Sequence, residues 1–82
     1  MSDETRTAEK KAADYEAMGH SKDLINDVVG GNQDDLEADE RQDIVDRNVR
    51  HLELMVALSD WGDEDMADIN SAITAGNGYT AS

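Results

Sequence analysis

The sequence has no cysteine, no proline and no phenylalanine, and its 82 residues include one tryptophan and two tyrosines. Without cysteine the chain forms neither disulfides nor thiolate metal sites. The two histidines, His20 and His51, are too few for a zinc site unless several carboxylates complete it. We therefore expect no metal and no other cofactor.

Large apolar side chains are scarce, which limits the core. A chain of this length buries only about 60% of the surface that its unfolded form exposes. Natural chains of this size gain stability from disulfides, a metal or a partner. Because the first two are not expected here, association with another protein is the expected source of extra stability.

The chain also has no long apolar run. None approaches the roughly 20 residues that a transmembrane helix needs, and the N-terminus has no apolar signal core. We therefore expect a cytoplasmic protein, or one assembled inside a cell, with no membrane partner.

Basic residues are outnumbered, with 7 against 20 acidic residues and a net charge of −13. Residues 23–46 carry nine acids and only one base, Arg41. Such a field repels nucleic acid, whose binding requires basic side chains, and attracts basic surfaces. The charge predicts a protein partner and no direct nucleic-acid contact.

The pattern predicts an all-α protein, because apolar residues recur at helical spacing and no stretch alternates like a strand. Ser2 or Asp3 is predicted to cap a first helix that ends at Gly19. Residues 1–19 would form an extended or helical N-terminal arm, and residues 20–82 a small helical domain. A short helix is predicted over 21–29.

The C-terminal half predicts a helical hairpin over residues 42–79. Its first helix would start near Asp34 and run to about Leu58, with Arg47 and Arg50 pairing back to Asp43 and Asp46. The acidic residues at 63–65 are predicted to lie in the first turn of the second helix, where the helix dipole favours negative charge. Gly76 is predicted to end this helix. Trp61 would fill the bend.

The apolar stripes exceed what one small hairpin can cover. Some of their members are therefore predicted to contact a partner protein. The candidate partner-binding residues are Leu24, Ile25, Val28, Val29, Ile44, Leu54, Leu58, Trp61 and Tyr79.

The sequence contains no recognisable catalytic motif. Phosphate-cradling glycine loops, nucleophile elbows and triads are missing. The acids near Gly31 and Gly62 do not follow the spacing of a calcium loop. His51 and Glu53 point to different faces of a helix. We therefore expect no catalytic residues and no enzymatic activity.

The C-terminal half contains three segments that belong to one pattern: 48–55 (NVRHLELM), 60–65 (DWGDED) and 72–76 (AITAG) followed by Tyr79. They resemble the short helical structural proteins of tailed bacteriophages. In these a helix ends before a Trp-x-x-Glu-Asp turn, and a second helix closes with Ala-Ile-x-x-Gly-x-x-Tyr. The resemblance implies a virion component, assembled in the host cytoplasm in many copies, that binds capsid, portal or tail subunits. It brings no catalytic residue.

Two other functions fit the composition. One is a DNA mimic that inhibits a DNA-binding protein, since duplex DNA presents one charge per about 1.7 Å and a mimic needs dense acidic rows. The other is a small regulatory adaptor with one dedicated protein partner. The acids available to a mimic are Asp23, Asp27, Asp34, Asp35, Glu37, Asp39, Glu40, Asp43 and Asp46.

Overall fold

The computed structural model describes residues 7–58, 61–62 and 64–81. They form three helices: α1 over Ala8–Val29, α2 over Ala38–Val56 and α3 over Ala67–Asn77. The described residues contain no β-strand, which confirms the predicted all-α class.

Helix α1 begins after Thr7, whose hydroxyl accepts a hydrogen bond from the backbone N–H of Lys10 at 3.1 Å. Ser2 and Asp3, the predicted caps, lie outside the described residues. The predicted helix end at Gly19 is wrong, because α1 continues to Val29. A glycine inside a helix costs about 1 kcal/mol, and buried Met18 and Ile25 on either side of Gly19 offset that cost. The helix thus crosses the expected boundary between arm and domain.

Helix α2 starts four residues later than predicted. Gly31, with φ of 86°, turns the chain after α1. Glu37 then forms a reciprocal capping box with Glu40, whose carboxylate accepts from the Glu37 backbone N–H at 3.2 Å. This box, rather than the acids at 34–35, sets the start of α2. Downstream, Arg47 pairs with Asp43 at 2.9 Å as predicted, whereas among the described residues Arg50 makes no ion pair with Asp46.

Helix α3 also starts later than predicted. The Asp65 carboxylate accepts a hydrogen bond from the backbone N–H of Ala67 at 2.9 Å. The prediction that Gly76 closes the helix is wrong, because α3 continues to Asn77 and Gly78 caps it. Gly76 is instead buried in the bundle.

The three helices pack against one another as a bundle. Ser21 of α1 meets His51 of α2, whereas Tyr15 and Ile25 of α1 meet Asp65 and Gly76 at the two ends of α3. Residue numbers therefore rise together along α1 and α3, and fall along α2. Helix α2 is antiparallel to both neighbours, and α2 with α3 forms the predicted hairpin.

The core contains residues from every helix and from the α2–α3 connection. Trp61 in that connection is buried, its indole N–H donates to the Met55 carbonyl at 2.8 Å, and its ring lies 6.2 Å from that of Tyr15. The predicted position of Trp61 at the bend is confirmed. The core residues are Met18, Ile25, Val28, Val45, Val49, Leu52, Trp61, Ile69 and Ala72.

Within the described residues, no helix combines the length and the apolar composition that crossing a bilayer requires.

Candidate functional site

Among the described residues, four large apolar side chains remain on the surface of the bundle. Leu24 is 43% exposed, Val29 38%, Leu54 61% and Leu58 42%. All four belong to the predicted partner-binding set. Since exposed leucines lose favourable burial energy, they are the first candidates for a contact surface.

The other five predicted residues have different positions. Ile25, Val28 and Trp61 fill the chain's own core, which corrects their assignment to a partner surface, because a partner cannot reach them in this fold. Ile44 and Tyr79 are half-buried and pack against the core. The stripes are therefore divided between the core and the surface.

The line along which α1 and α2 meet is marked by a hydrogen bond. Ser21 Oγ and His51 Nδ1 lie 2.7 Å apart, with Ser21 buried and His51 half-buried. Positions three residues further on fall about 60° to one side of this line, and positions four residues further on about 40° to the other. Because the helices are antiparallel, equal offsets on both helices fall on the same side.

This geometry places Leu24 and Leu54 on the same side of the bundle, about 9 Å apart along its axis. They lie three residues after Ser21 and His51, on one side of the α1–α2 line. Ile25 and Met55, four residues after the same pair, lie on the other side, where Ile25 contacts Gly76 of α3. Leu24 and Leu54 therefore border the side of the α1–α2 interface that α3 leaves open.

We call this open side the α1–α2 groove. By helix periodicity its floor is the Ser21–His51 pair, its α1 wall is Leu24 with Ala17, and its α2 wall is Leu54. Leu58 lies beyond the C-terminal end of α2. Val29 lies five residues after Leu24, about 140° around the helix, and is outside the groove.

Charged residues flank both walls of the groove. Helix periodicity places three acids outside the α1 wall, Asp43 and Arg50 outside the α2 wall, and Glu40 and Arg47 between that wall and the floor of the groove. Asp43 and Arg47 neutralise each other at 2.9 Å. The flanking charge is net negative. These groove-flanking residues are Glu16, Asp23, Asp27, Glu40, Asp43, Arg47 and Arg50.

The Ser21–His51 pair has the spacing of a nucleophile and its base. However, Ser21 lies in the interior of α1, where backbone N–H groups are bonded to carbonyls one turn earlier. Those N–H groups cannot serve as an oxyanion hole, the usual partner of a serine nucleophile. The geometry favours a positioning role, in which the bond sets the register of α1 against α2.

A concavity lies between α2 and the C-terminal end of α3. This cleft has a volume of about 510 Å³, and Arg50, Glu53 and Asn77 are among its lining residues. Its charges are of both signs and it is open to solvent, so it selects no ligand class. Among the described residues, no group of three or more His, Asp or Glu side chains is placed to hold a metal ion.

The Ser21–His51 contact was not predicted from the sequence. Ser21 stands four and seven residues before Ile25 and Val28, on the same helical stripe. That spacing is the signal that could have identified a buried serine. The partner on α2 could not be found without the relative orientation of the helices.

Comparison with protein-family models, with curated proteins and with solved structures finds no match.

Proposed function

We propose that this chain is a non-enzymatic assembly protein that binds neighbouring protein subunits. The resemblance of its C-terminal half to phage structural proteins suggests the setting, a tailed-phage particle with capsid, portal or tail subunits as neighbours. The observation that carries the proposal is the α1–α2 groove, where exposed leucines from two helices lie on one side of the bundle.

The exposed leucines support the proposal because a partner that covers them would add the favourable free energy of burying their side chains. Fully burying one leucine is worth about 1.5–3 kcal/mol. Leu24, Leu54 and Leu58 are all at least 42% exposed, so each retains a substantial part of that energy for a partner. A core with so few large residues also benefits from such association.

A DNA mimic receives less support from the fold. Asp34, Asp35 and Glu37 precede α2 rather than continuing its helical row. Asp43 forms an ion pair with Arg47, and Asp23 Oδ1 lies 3.7 Å from Lys22 Nζ. Within the part of the chain that the structure describes, the row of acidic side chains that make no ion pair is therefore shorter and less regular than the row on the predicted helix over residues 34–58.

The test is recovery of the tagged full-length chain from its native host at moderate salt, with mass spectrometry of what accompanies it. We expect capsid, portal or tail proteins at a fixed stoichiometry. Recovery of a nuclease, polymerase or restriction enzyme that added salt releases would overturn the proposal in favour of the mimic. A single regulatory protein bound one-to-one would favour the adaptor.

A further inference from the structure

We infer that the α1–α2 groove binds an amphipathic α-helix of the partner protein, with an apolar stripe and basic residues on both sides of it. This inference rests on the proposed function, since it names the chemistry of the partner surface that the assembly role requires. It follows from the shape of the groove and from its charge.

The shape of the groove suits a helix. Two antiparallel helices with a floor between them form an elongated depression, and a further helix laid along it would complete a four-helix bundle. Leu24 and Leu54 stand on opposite walls, so an entering helix would contact both with one apolar stripe. A helix bound in this way presents anchors at i, i+3, i+4 and i+7.

The charge beside the groove selects basic flanks. The acids around the groove outnumber the arginines, and Arg47 is already neutralised by Asp43. Lysine or arginine on both sides of the partner's apolar stripe would meet this acidic margin. Complementary charge of this kind also speeds encounter, because the whole chain carries −13.

The same charge argues against a second copy of this chain in the groove. Two copies would bring together two fields of −13, and their acidic margins would face each other. Association of two copies would therefore have to overcome like-charge repulsion on both sides of the apolar stripe. A basic helix gains from both the apolar and the charged contacts.

The test uses the full-length chain and a labelled synthetic 18-residue helix as probe, with leucines at i, i+3, i+4 and i+7 and lysines on both flanks. A second peptide has glutamate in place of every lysine. Fluorescence anisotropy measures each Kd for the wild type, Leu24→Gln, Leu54→Gln and the matched control Val29→Gln. Glutamine keeps the net charge in all three variants, and in place of leucine it also keeps the helix propensity.

We expect the basic peptide to bind and the acidic peptide to bind at least about tenfold more weakly. Leu24→Gln and Leu54→Gln should each weaken binding by about tenfold, which is the effect of losing one well-placed apolar contact. Val29→Gln should change Kd less than about twofold, because Val29 lies outside the groove.

Three results would overturn the inference: no binding of the basic peptide, equal binding of both peptides, or equal effects of the groove and control variants. A fourth result comes from sedimentation of the chain alone. A dimer that the leucine variants abolish would overturn the inference, because the groove would then bind a second copy of the chain. Native partners that both leucine variants still recover would refute the groove assignment and leave the assembly function standing.

Discussion

Gly76 of α3 lies directly against Val49 of α2, so that a β-carbon on Gly76 would overlap Val49 Cγ2. The same atom would lie 3.3 Å from Val45 Cγ1 and 3.4 Å from Ile25 Cγ2. All three helices meet at this point. Helix α3 can therefore approach α2 this closely because glycine has no β-carbon at position 76.

Gly76→Ala should destabilise the bundle by about 1–3 kcal/mol, the usual cost of overfilling a packed core. Urea unfolding followed by circular dichroism measures the change. Gly19→Ala is the matched control, because a β-carbon there meets nothing within 4 Å. Replacing that helix-interior glycine should stabilise the protein by about 0.5–1 kcal/mol. Equal changes for both variants would contradict the packing.

Leu52 and Leu54 should differ sharply although they are two residues apart on α2. Leu52 has no exposed surface, so Leu52→Ala should cost about 2–5 kcal/mol in unfolding free energy. Leu54 is 61% exposed, and Leu54→Gln should change stability by less than about 0.5 kcal/mol. If Leu54→Gln unfolded the chain, Leu54 would belong to the core and not to the groove.

The Ser21–His51 bond should appear as a coupling energy. In a double-mutant cycle with Ser21→Ala and His51→Ala, the two changes should be non-additive by about 0.5–1.5 kcal/mol in unfolding free energy. Strict additivity would show that the 2.7 Å contact makes no net contribution in solution.

Trp61 should report the folded state. Its buried ring should emit at shorter wavelength than free tryptophan and shift to longer wavelength on unfolding. Trp61→Phe keeps an aromatic ring near Tyr15 but loses the bond to the Met55 carbonyl, and should cost at least about 0.5–1.5 kcal/mol. Native emission at the wavelength of free tryptophan would place Trp61 outside the core.

The helical stripes were predictable because their spacing is local information. Val45, Val49 and Leu52 recur on one face, and the structure buries all three. The helix end at Gly19 was predicted wrongly, because a glycine in a helix interior costs only about 1 kcal/mol and packing on both sides of Gly19 offsets that cost. Tertiary contacts of Met18 and Ile25 decide that point, and the local sequence does not contain them.

The candidate site was predictable only in part. Composition predicts that some apolar side chains stay uncovered, and Leu24, Leu54 and Leu58 were among those predicted. Which of the apolar residues enter the core depends on how each helix is rotated about its axis and on which helices are neighbours. Ile25 and Leu24 are adjacent in sequence, yet one packs against α3 and the other faces the open groove.

Parallel recovery of native partners shows whether the groove is the surface through which the chain binds its partner. The tagged wild type, the Leu24→Gln/Leu54→Gln double variant and Val29→Gln are purified from the native host at equal expression, and bound proteins are quantified by mass spectrometry. We expect the wild type and Val29→Gln to recover the same partner at the same stoichiometry, and the folded double variant to lose at least about nine-tenths of that partner. Equal recovery by all three proteins would show that the partner binds outside the groove.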